Sequence, residues 1–392
     1  MHFILLTDYF LPIIKSGSII VSDLSGELVR LGHKVTIVTF VNIQDEECKI
    51  SNNNNLQIIR IRSRSRAYGL IGRLLAEQRY SQKIIKTLGN LKMDSYDGII
   101  CYSPSIFYGA AIKWLKTKNN LRAYLIIRDI FPKWALDAGL IKKGFFYNYL
   151  KNVEREFYKN VDIIGIEAES DIEYFKNYID AKFPTLEVLN NWSSNKVANI
   201  ISQKKPLLDL SKVNIVYGGN IGSPQNLLSL IKMLDHSILE DKAVLTIFGS
   251  GNQFKNIKET IKVEKLHNIF LIPLVDRNEF NWILSHADIG LVCLNHKLLS
   301  NNYPLKMINY MQLGLPILAS VNKDNEIFDL INQNNIGFVS EANNKKEFNQ
   351  NLNTMVTSID IRKKQGQNGK RLFNEKFTSE VAAAQICSHF ID

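Results

Sequence analysis

The residues of this chain whose types and spacing could do chemistry are a lysine at a helix start, three glycine turns and one strand-end carboxylate. In Asn301 to Ser320, NNYPLKMINYMQLGLPILAS, the apolar positions Leu305, Met307, Ile308, Met311 and Leu313 mark a helix packed on one side. Pro304 suits its first turn, Gly314 ends it, and Ile317, Leu318 and Ala319 read as the next buried strand. The helix start therefore lies on a loop, where backbone N–H groups and the dipole favour an anion. Lys306, in the first turn, does not compensate that dipole, so it is either surface charge or the partner of a phosphate. Gly218-Gly219-Asn220-Ile221-Gly222 leaves bare backbone N–H groups within reach of a phosphate, and Ser16-Gly17-Ser18 lies in the loop that follows the first strand. Gly249-Ser250-Gly251 is either a third such turn or a plain one. Arg128-Asp129 closes a strand at the end where open α/β sheets place their ligands; the alternative for Asp129 is a helix cap or turn. No D-x-D with supporting ligands appears, and Cys48, Cys101, Cys293 and Cys387 lack metal-site spacing, so no metal is expected.

The elements that must position these residues alternate strand and helix. Residues 3–7 form a buried strand, about 19–31 a helix closed by Gly32, and Val35 to Phe40 a second strand, which is one βαβ unit without the G-x-G-x-x-G dinucleotide fingerprint. Further strands are expected at 56–61, 96–103, 123–130 and 161–166, and helices at 72–89, 106–118, 145–158 and 169–178. The polar stretch Ser193 to Lys205, closed by Pro206, reads as a linker. The alternation then restarts, with strands at 213–217, 269–275 and 288–294, a strand running into a glycine turn over 243–254, and helices from about Pro224 and over 278–287. Arg362 to Phe377 is a basic helical stretch with a last helix from about Thr378, and the Asn-rich runs Ser51 to Asn55 and Asn332 to Asn335 read as loops.

A chain of 392 residues divides by default into two domains, placed here at 1–192 and 206–377. It is 45% hydrophobic and 22% charged, a globular composition, and no apolar run reaches the roughly 18 residues that span a bilayer. The start reads as a first buried strand rather than a secretory signal, so a protein inside the cell with reduced thiols is expected. The net charge of +10 lies in the first part: residues 1–160 hold 24 Lys and Arg against 13 Asp and Glu. The excess peaks from Arg60 to Lys92, nine basic residues against Glu77. Nucleic acid, anionic lipid or plain solvation could explain it; the interleaved Tyr68, Leu70, Ile71, Leu74 and Leu75 suit a membrane surface, met by Arg62, Arg64 and Arg66.

Several motifs, in order, resemble the family 4 retaining glycosyltransferases, in the branch that makes surface polysaccharides. Pro304, Lys306, Tyr310, Met311, Gly314 and Pro316 match its Pro-Ser-Lys, Glu-Tyr-Met and Gly-x-Pro pattern, Gly219-Asn220-Ile221-Gly222 and Gln225 its Gly-Asn-Ile-Gly-Arg-Ala-Gln, and Arg128-Asp129-Ile130-Phe131-Pro132 its Arg-Asp-Leu-Trp-Pro-Glu. Ser103-Pro104 and Asn191-Trp192 resemble two more of its segments. Leu305 departs from its Ser, Asn309 and Asn301 from its acids, Ser223 from its Arg and Lys133 from its Glu. The resemblance implies a GT-B architecture of two Rossmann-like domains facing across a cleft, with helix 378–392 crossing back to the first. It implies retaining transfer from a UDP-linked sugar to a lipid-linked oligosaccharide, without cofactor or nucleic acid, on the cytoplasmic face of a membrane. Donor binding then falls to Gly17, Ser18, Gly219, Asn220, Gly222, Ser223, Gln225, Gly249, Val275, Asn301, Pro304, Leu305, Lys306 and Asn309. Asp129, Arg128 and Lys306 are the catalytic candidates, and Tyr9, Arg62, Arg64, Arg66 and Lys133 those for acceptor and membrane. Rival readings are a sugar-nucleotide 2-epimerase of the same fold, a nucleic-acid module and a non-catalytic partner protein.

Overall fold

The computed structural model describes residues 1–13, 15–42, 50–63, 69–91, 95–137, 139–176, 184–195, 208–296 and 303–391. These form two compact units, Met1–Asn190 with Ser379–Asp392, and Asn191–Thr378. In the first, strands β1 (His2–Thr7), β2 (Lys34–Asn42), β3 (Ile50–Asn53), β4 (Leu56–Ser63), β5 (Gly98–Ser103), β6 (Arg122–Ile127), β7 (Ile163–Ile166) and β8 (Thr185–Val188) make one sheet in the order β3-β4-β2-β1-β5-β6-β7-β8. All pairs are parallel except β3 with β4. β1 and β5 are buried along their whole length, as central strands covered on both faces must be, and so read as apolar runs rather than alternations. Helices α1 (Ser16–Arg30), α2 (Gly69–Glu77), α3 (Tyr80–Asn90), α4 (Gly109–Asn119), α5 (Lys133–Asp137), α6 (Phe145–Tyr158) and α7 (Glu169–Lys176) connect them.

The second unit is a fully parallel sheet ordered β11-β10-β9-β12-β13-β14, from β9 (Val213–Asn220), β10 (Ala243–Ser250), β11 (Ile269–Pro273), β12 (Ile289–Cys293), β13 (Ile317–Val321) and β14 (Gly337–Glu341). Its helices are α8 (Leu227–Met233), α9 (His236–Leu239), α10 (Phe254–Val263), α11 (Arg277–Leu284), α12 (Leu305–Leu313), α13 (Glu326–Asn334), α14 (Lys345–Thr357) and α15 (Ile359–Lys376). The last helix, α16 (Ser379–Ser388), belongs to the first unit, where it packs on α1 and Phe390 meets the ring of Phe3 edge-on.

Several boundaries differ from expectation for local reasons. The helix expected over 72–89 is two, α2 and α3, and the Asn-rich run after Ser51 contains strand rather than loop, because Ile50–Asn53 pairs antiparallel with β4. α1 begins at Ser16, so Gly17 and Ser18 sit inside its first turn. The helix after the Gly218–Gly222 turn starts only at Leu227, since Ser223–Gln225 is a short 3₁₀ turn and Asn226 is left-handed at φ 51°. Pro304 is the N-cap of α12, with extended backbone, rather than its first helical residue; Gly314 closes the helix at φ 72°, a conformation that favours glycine. Of the expected linker, Ser193 forms a bridge with Thr378 and the Ser194 carbonyl accepts from Gln312 Nε2 at 2.6 Å, while 196–207 lies outside the described residues.

Candidate functional site

An open parallel sheet offers a ligand crevice where its strand order reverses, at the carboxyl ends of the two strands on either side. In the second unit that point lies between β9 and β12. Two glycines let helices close on it, Gly290 admitting α12 and Gly218 admitting α11. A side chain at Gly290 on β12 would sit 2.3 Å from the ring of Tyr310, and one at Gly218 would collide with Phe280 at 2.0 Å. Tyr310, fully buried, accepts the Gly218 N–H at 3.2 Å and donates to the Val216 carbonyl at 3.2 Å. The tyrosine of the motif is thus a strut that fixes α12 against β9 and β12, and it sets where the first turn points.

That first turn carries Lys306. Its ammonium lies 3.7 Å from the centroid of the Tyr217 ring and against the bare Cα of Gly219, whose φ of 122° a side chain would rarely adopt. Tyr217 is held in turn by donating to the Asn220 carbonyl at 2.6 Å. Lys306 has no carboxylate partner and no hydrogen bond among the described residues. Burial therefore pushes its pKa down from 10.5 to about 8, with the nearby Cys293 thiol opposing slightly. A half-buried cation on an aromatic face, beside a helix N-terminus and without a counter-charge among the described residues, can receive an anion.

The glycine turn after β9 is more committed than its bareness suggests. Gln225 Oε1 accepts from the Gly222 N–H and from Asn220 Nδ2, both at 3.2 Å, and the Ile221 N–H is donated to the Ser250 carbonyl at 2.8 Å. A phosphate would take the Gly222 N–H only by displacing Gln225. Ser223 is exposed, its hydroxyl 3.4 Å from Gln253 Nε2. At Gly249 an added side chain would strike the Gly219 carbonyl at 2.0 Å, so that glycine is required where β9 and β10 end side by side. Leu305 and Asn309 are half-buried on α12, and Asn309 has no side-chain hydrogen bond among the described residues. Val275 packs on the apolar core beside the exposed Leu274, and Asn301 lies outside the described residues.

In the first unit the order reverses between β1 and β5. Asp8, directly after β1, is buried and accepts from the Tyr108 hydroxyl at 2.6 Å. Gly17 lets the start of α1 rest on Tyr102, whose ring an added side chain would approach to 3.1 Å. Burial raises the Tyr102 hydroxyl far above its usual range, with Arg128 pulling it down and Glu167, Asp129 and Asp8 pushing it up. These groups share one sheet edge. Asp129 keeps exposed surface there, yet the protein crowding its carboxyl raises it above its ordinary value, against the opposing pull of Arg73 and Arg128. Arg128 also donates to the Leu189 carbonyl at 2.9 Å and the Asn190 carbonyl at 3.3 Å, so it fastens the end of β8 to the end of β6.

The surface candidates are scattered. Tyr9 stacks under the Lys15 ammonium at 3.7 Å, and Lys133 pairs with Asp137. Within the basic stretch, Arg60 donates to the Leu11 carbonyl, Arg62 is half-buried with its own carbonyl accepting from Lys83, and Arg73 pairs with the buried Glu77 at 2.6 Å. Leu74 belongs to the core, and Arg64, Arg66 and Tyr68 lie outside the described residues. Sequence reasoning passed over Tyr217, Asp8, Tyr108 and Glu167. An aromatic closing a strand just ahead of a glycine pair was the available signal for Tyr217, and an acid directly after the first strand that for Asp8.

Comparison with known proteins adds to this geometry. Residues 200–372 match the model of the family Glycosyl transferases group 1. Over 247 residues the chain is 25% identical to the "Probable glycosyltransferase WbjE" of Pseudomonas aeruginosa, covering 60% of this chain and 58% of that protein, little more than half of its length. It is similar in structure to WaaG, a glycosyltransferase involved in lipopolysaccharide biosynthesis, with a TM-score of 0.67 at 13% identity over 98% of both chains. It is likewise similar to Anabaena HepE in complex with UDP and glucose, with a TM-score of 0.67 at 12% identity over 99% of both chains. The chain therefore has the GT-B fold of two Rossmann-like units, with a match to the group 1 glycosyl transferases over most of its second unit.

Proposed function

We propose that this protein is a retaining glycosyltransferase that moves a sugar from a UDP-linked donor to a lipid-linked saccharide during surface-polysaccharide synthesis. The observation that carries the reading is Lys306, a half-buried cation without a carboxylate partner among the described residues, set at the start of α12 where the sheet order reverses. The names of WbjE and WaaG and the ligands of HepE support it. In the reaction the bond between the anomeric carbon and the diphosphate breaks, an acceptor hydroxyl bonds to that carbon from the same face, and its proton passes to the departing phosphate oxygen. Lys306 and the first N–H groups of α12 would stabilise the charge that builds on the diphosphate. Asp129, exposed at the ligand edge of the first unit, would orient the acceptor or the sugar. Asn309, one turn along α12, replaces a carboxylate with an amide that still accepts from and donates to ribose hydroxyls.

The test is calorimetric titration of UDP into wild type and Lys306→Ala. The variant should lose about 1.5–3 kcal/mol, the worth of a charge-assisted hydrogen bond. Equal affinities would remove the donor site from α12 and the reading with it.

A further inference from the structure

Within the basic stretch from Arg60, Arg60 and Arg73 are engaged within the protein and Leu74 is core, while Arg64 and Arg66 lie outside the described residues. A different surface has the required chemistry. From Leu140 to Tyr149 the chain turns into α6 with its apolar side chains outward: Phe145 is 92% exposed, Leu140 59%, Phe146 46% and Tyr149 41%. Ile141 and Leu150, both buried, pin the two ends of the segment, so the exposure is built into the turn rather than a fraying end. Among the described residues neither Phe145 nor Phe146 stacks on another ring.

Lys142 and Lys143 are exposed next to these rings in sequence, residues 138–150 contain no acid, and the flanking acids Asp137 and Glu154 are paired with Lys133 and Lys151. α6 connects the parallel strands β6 and β7 and so runs back against them, which puts its N-terminus at the carboxyl edge of the sheet. That is the edge of the first unit where Asp8 and Asp129 lie.

We infer that Leu140 to Tyr149 is a membrane-docking element, in which Phe145 and Phe146 enter the acyl boundary of a bilayer while Lys142 and Lys143 meet anionic headgroups. The pairing of exposed aromatics with lysines and no acid is what an anionic interface selects. A protein partner would more often be met by a face with both signs of charge. The inference rests on the preceding reading only in that a lipid-linked acceptor gives the docking a purpose.

Sedimentation of the full chain with phosphatidylcholine vesicles, with and without phosphatidylglycerol, tests it. Wild type should pellet with the anionic vesicles and much less with the neutral ones. Phe145→Ser/Phe146→Ser should weaken partitioning at least about tenfold, since burying either ring is worth that much alone. Lys142→Glu/Lys143→Glu should lose the preference for phosphatidylglycerol. Both variants should bind UDP as wild type does, which shows that they are folded. Wild type that binds vesicles but no UDP would count against the transfer reading and leave this one standing. Three results would overturn the inference: wild type remaining in the supernatant, the serine variant pelleting like wild type, or release by Arg62→Glu/Arg64→Glu/Arg66→Glu alone. A serine variant that only converts a vesicle-free dimer to monomer would also overturn it, by assigning the face to a second copy.

Discussion

Lys306, without a counter-charge among the described residues, makes opposite demands on stability and on binding, and the two can be measured separately. With no ligand, burial lowers its pKa from 10.5 to about 8. A lysine whose folded pKa is depressed costs stability while it is charged, so the cost is present below pH 8 and relieved as pH rises from about 8 towards 10.5. The difference corresponds to an upper bound on the order of 3 kcal/mol at neutral pH. Lys306→Met, which keeps the length of the stem and removes the charge, should therefore stabilise the ligand-free protein and raise its Tm at pH 7. Nucleotide binding runs the other way. A diphosphate selects the protonated amine, and its own last proton, with a pKa near 6, is already lost by pH 7. Between pH 7 and pH 9 the free amine passes from mostly charged to mostly neutral, so UDP affinity should fall about tenfold. The same titration with Lys306→Met should be weak and flat with pH. Denaturant melts and calorimetry over that range supply both numbers. A wild-type affinity that does not change from pH 7 to 9, or a methionine variant less stable than wild type, would refute the reasoning.

Other perturbations address the shell around that lysine and the first unit. Asn309→Glu should bind UDP as well as wild type or more tightly, and Asn309→Leu should lose binding; calorimetry that finds the leucine variant unchanged would show that Asn309 does not face the ribose. Gly290→Ala would place a methyl 2.3 Å from the Tyr310 ring, so it should destabilise by about 1–3 kcal/mol in urea and weaken UDP binding as α12 shifts. Tyr108→Phe removes the 2.6 Å hydrogen bond to buried Asp8 and should cost about 1.5–3 kcal/mol in urea, with UDP affinity unchanged because the contact lies in the first unit.

What was legible in the sequence was legible for a physical reason. Strands of a parallel sheet buried on both faces are continuous apolar runs, so residues 3–7, 35–40 and 213–217 announced themselves, and the glycines that end helices, Gly32 at φ 85° and Gly314 at φ 72°, marked the turns. The misreadings fall where the deciding force is not local. Ile50–Asn53 is a strand because β4 offers an edge to pair with, which an Asn-rich run does not advertise. Asn226 delays the start of α8 by adopting a left-handed conformation that asparagine tolerates without requiring it.

The candidate site divides in the same way. Lys306 could be singled out from its residue type and its place in a first helical turn, yet its meaning stayed open between surface charge and ligand partner because the deciding neighbour, Tyr217, lies on a different strand. The packing of Tyr310 on Gly290 and its hydrogen bond from the Gly218 N–H bring them together, and each of those glycines looks locally like an ordinary strand residue. Arg128, next to Asp129 at a strand end, read as catalytic, and its fork also meets the Leu189 and Asn190 carbonyls, acceptors that only the folding of β8 beside β7 supplies. A charged residue at the ligand edge of a sheet thus identifies the edge more securely than its own role. Where its hydrogen-bonding groups point decides the role, and on that ground Lys306 is the group to perturb first.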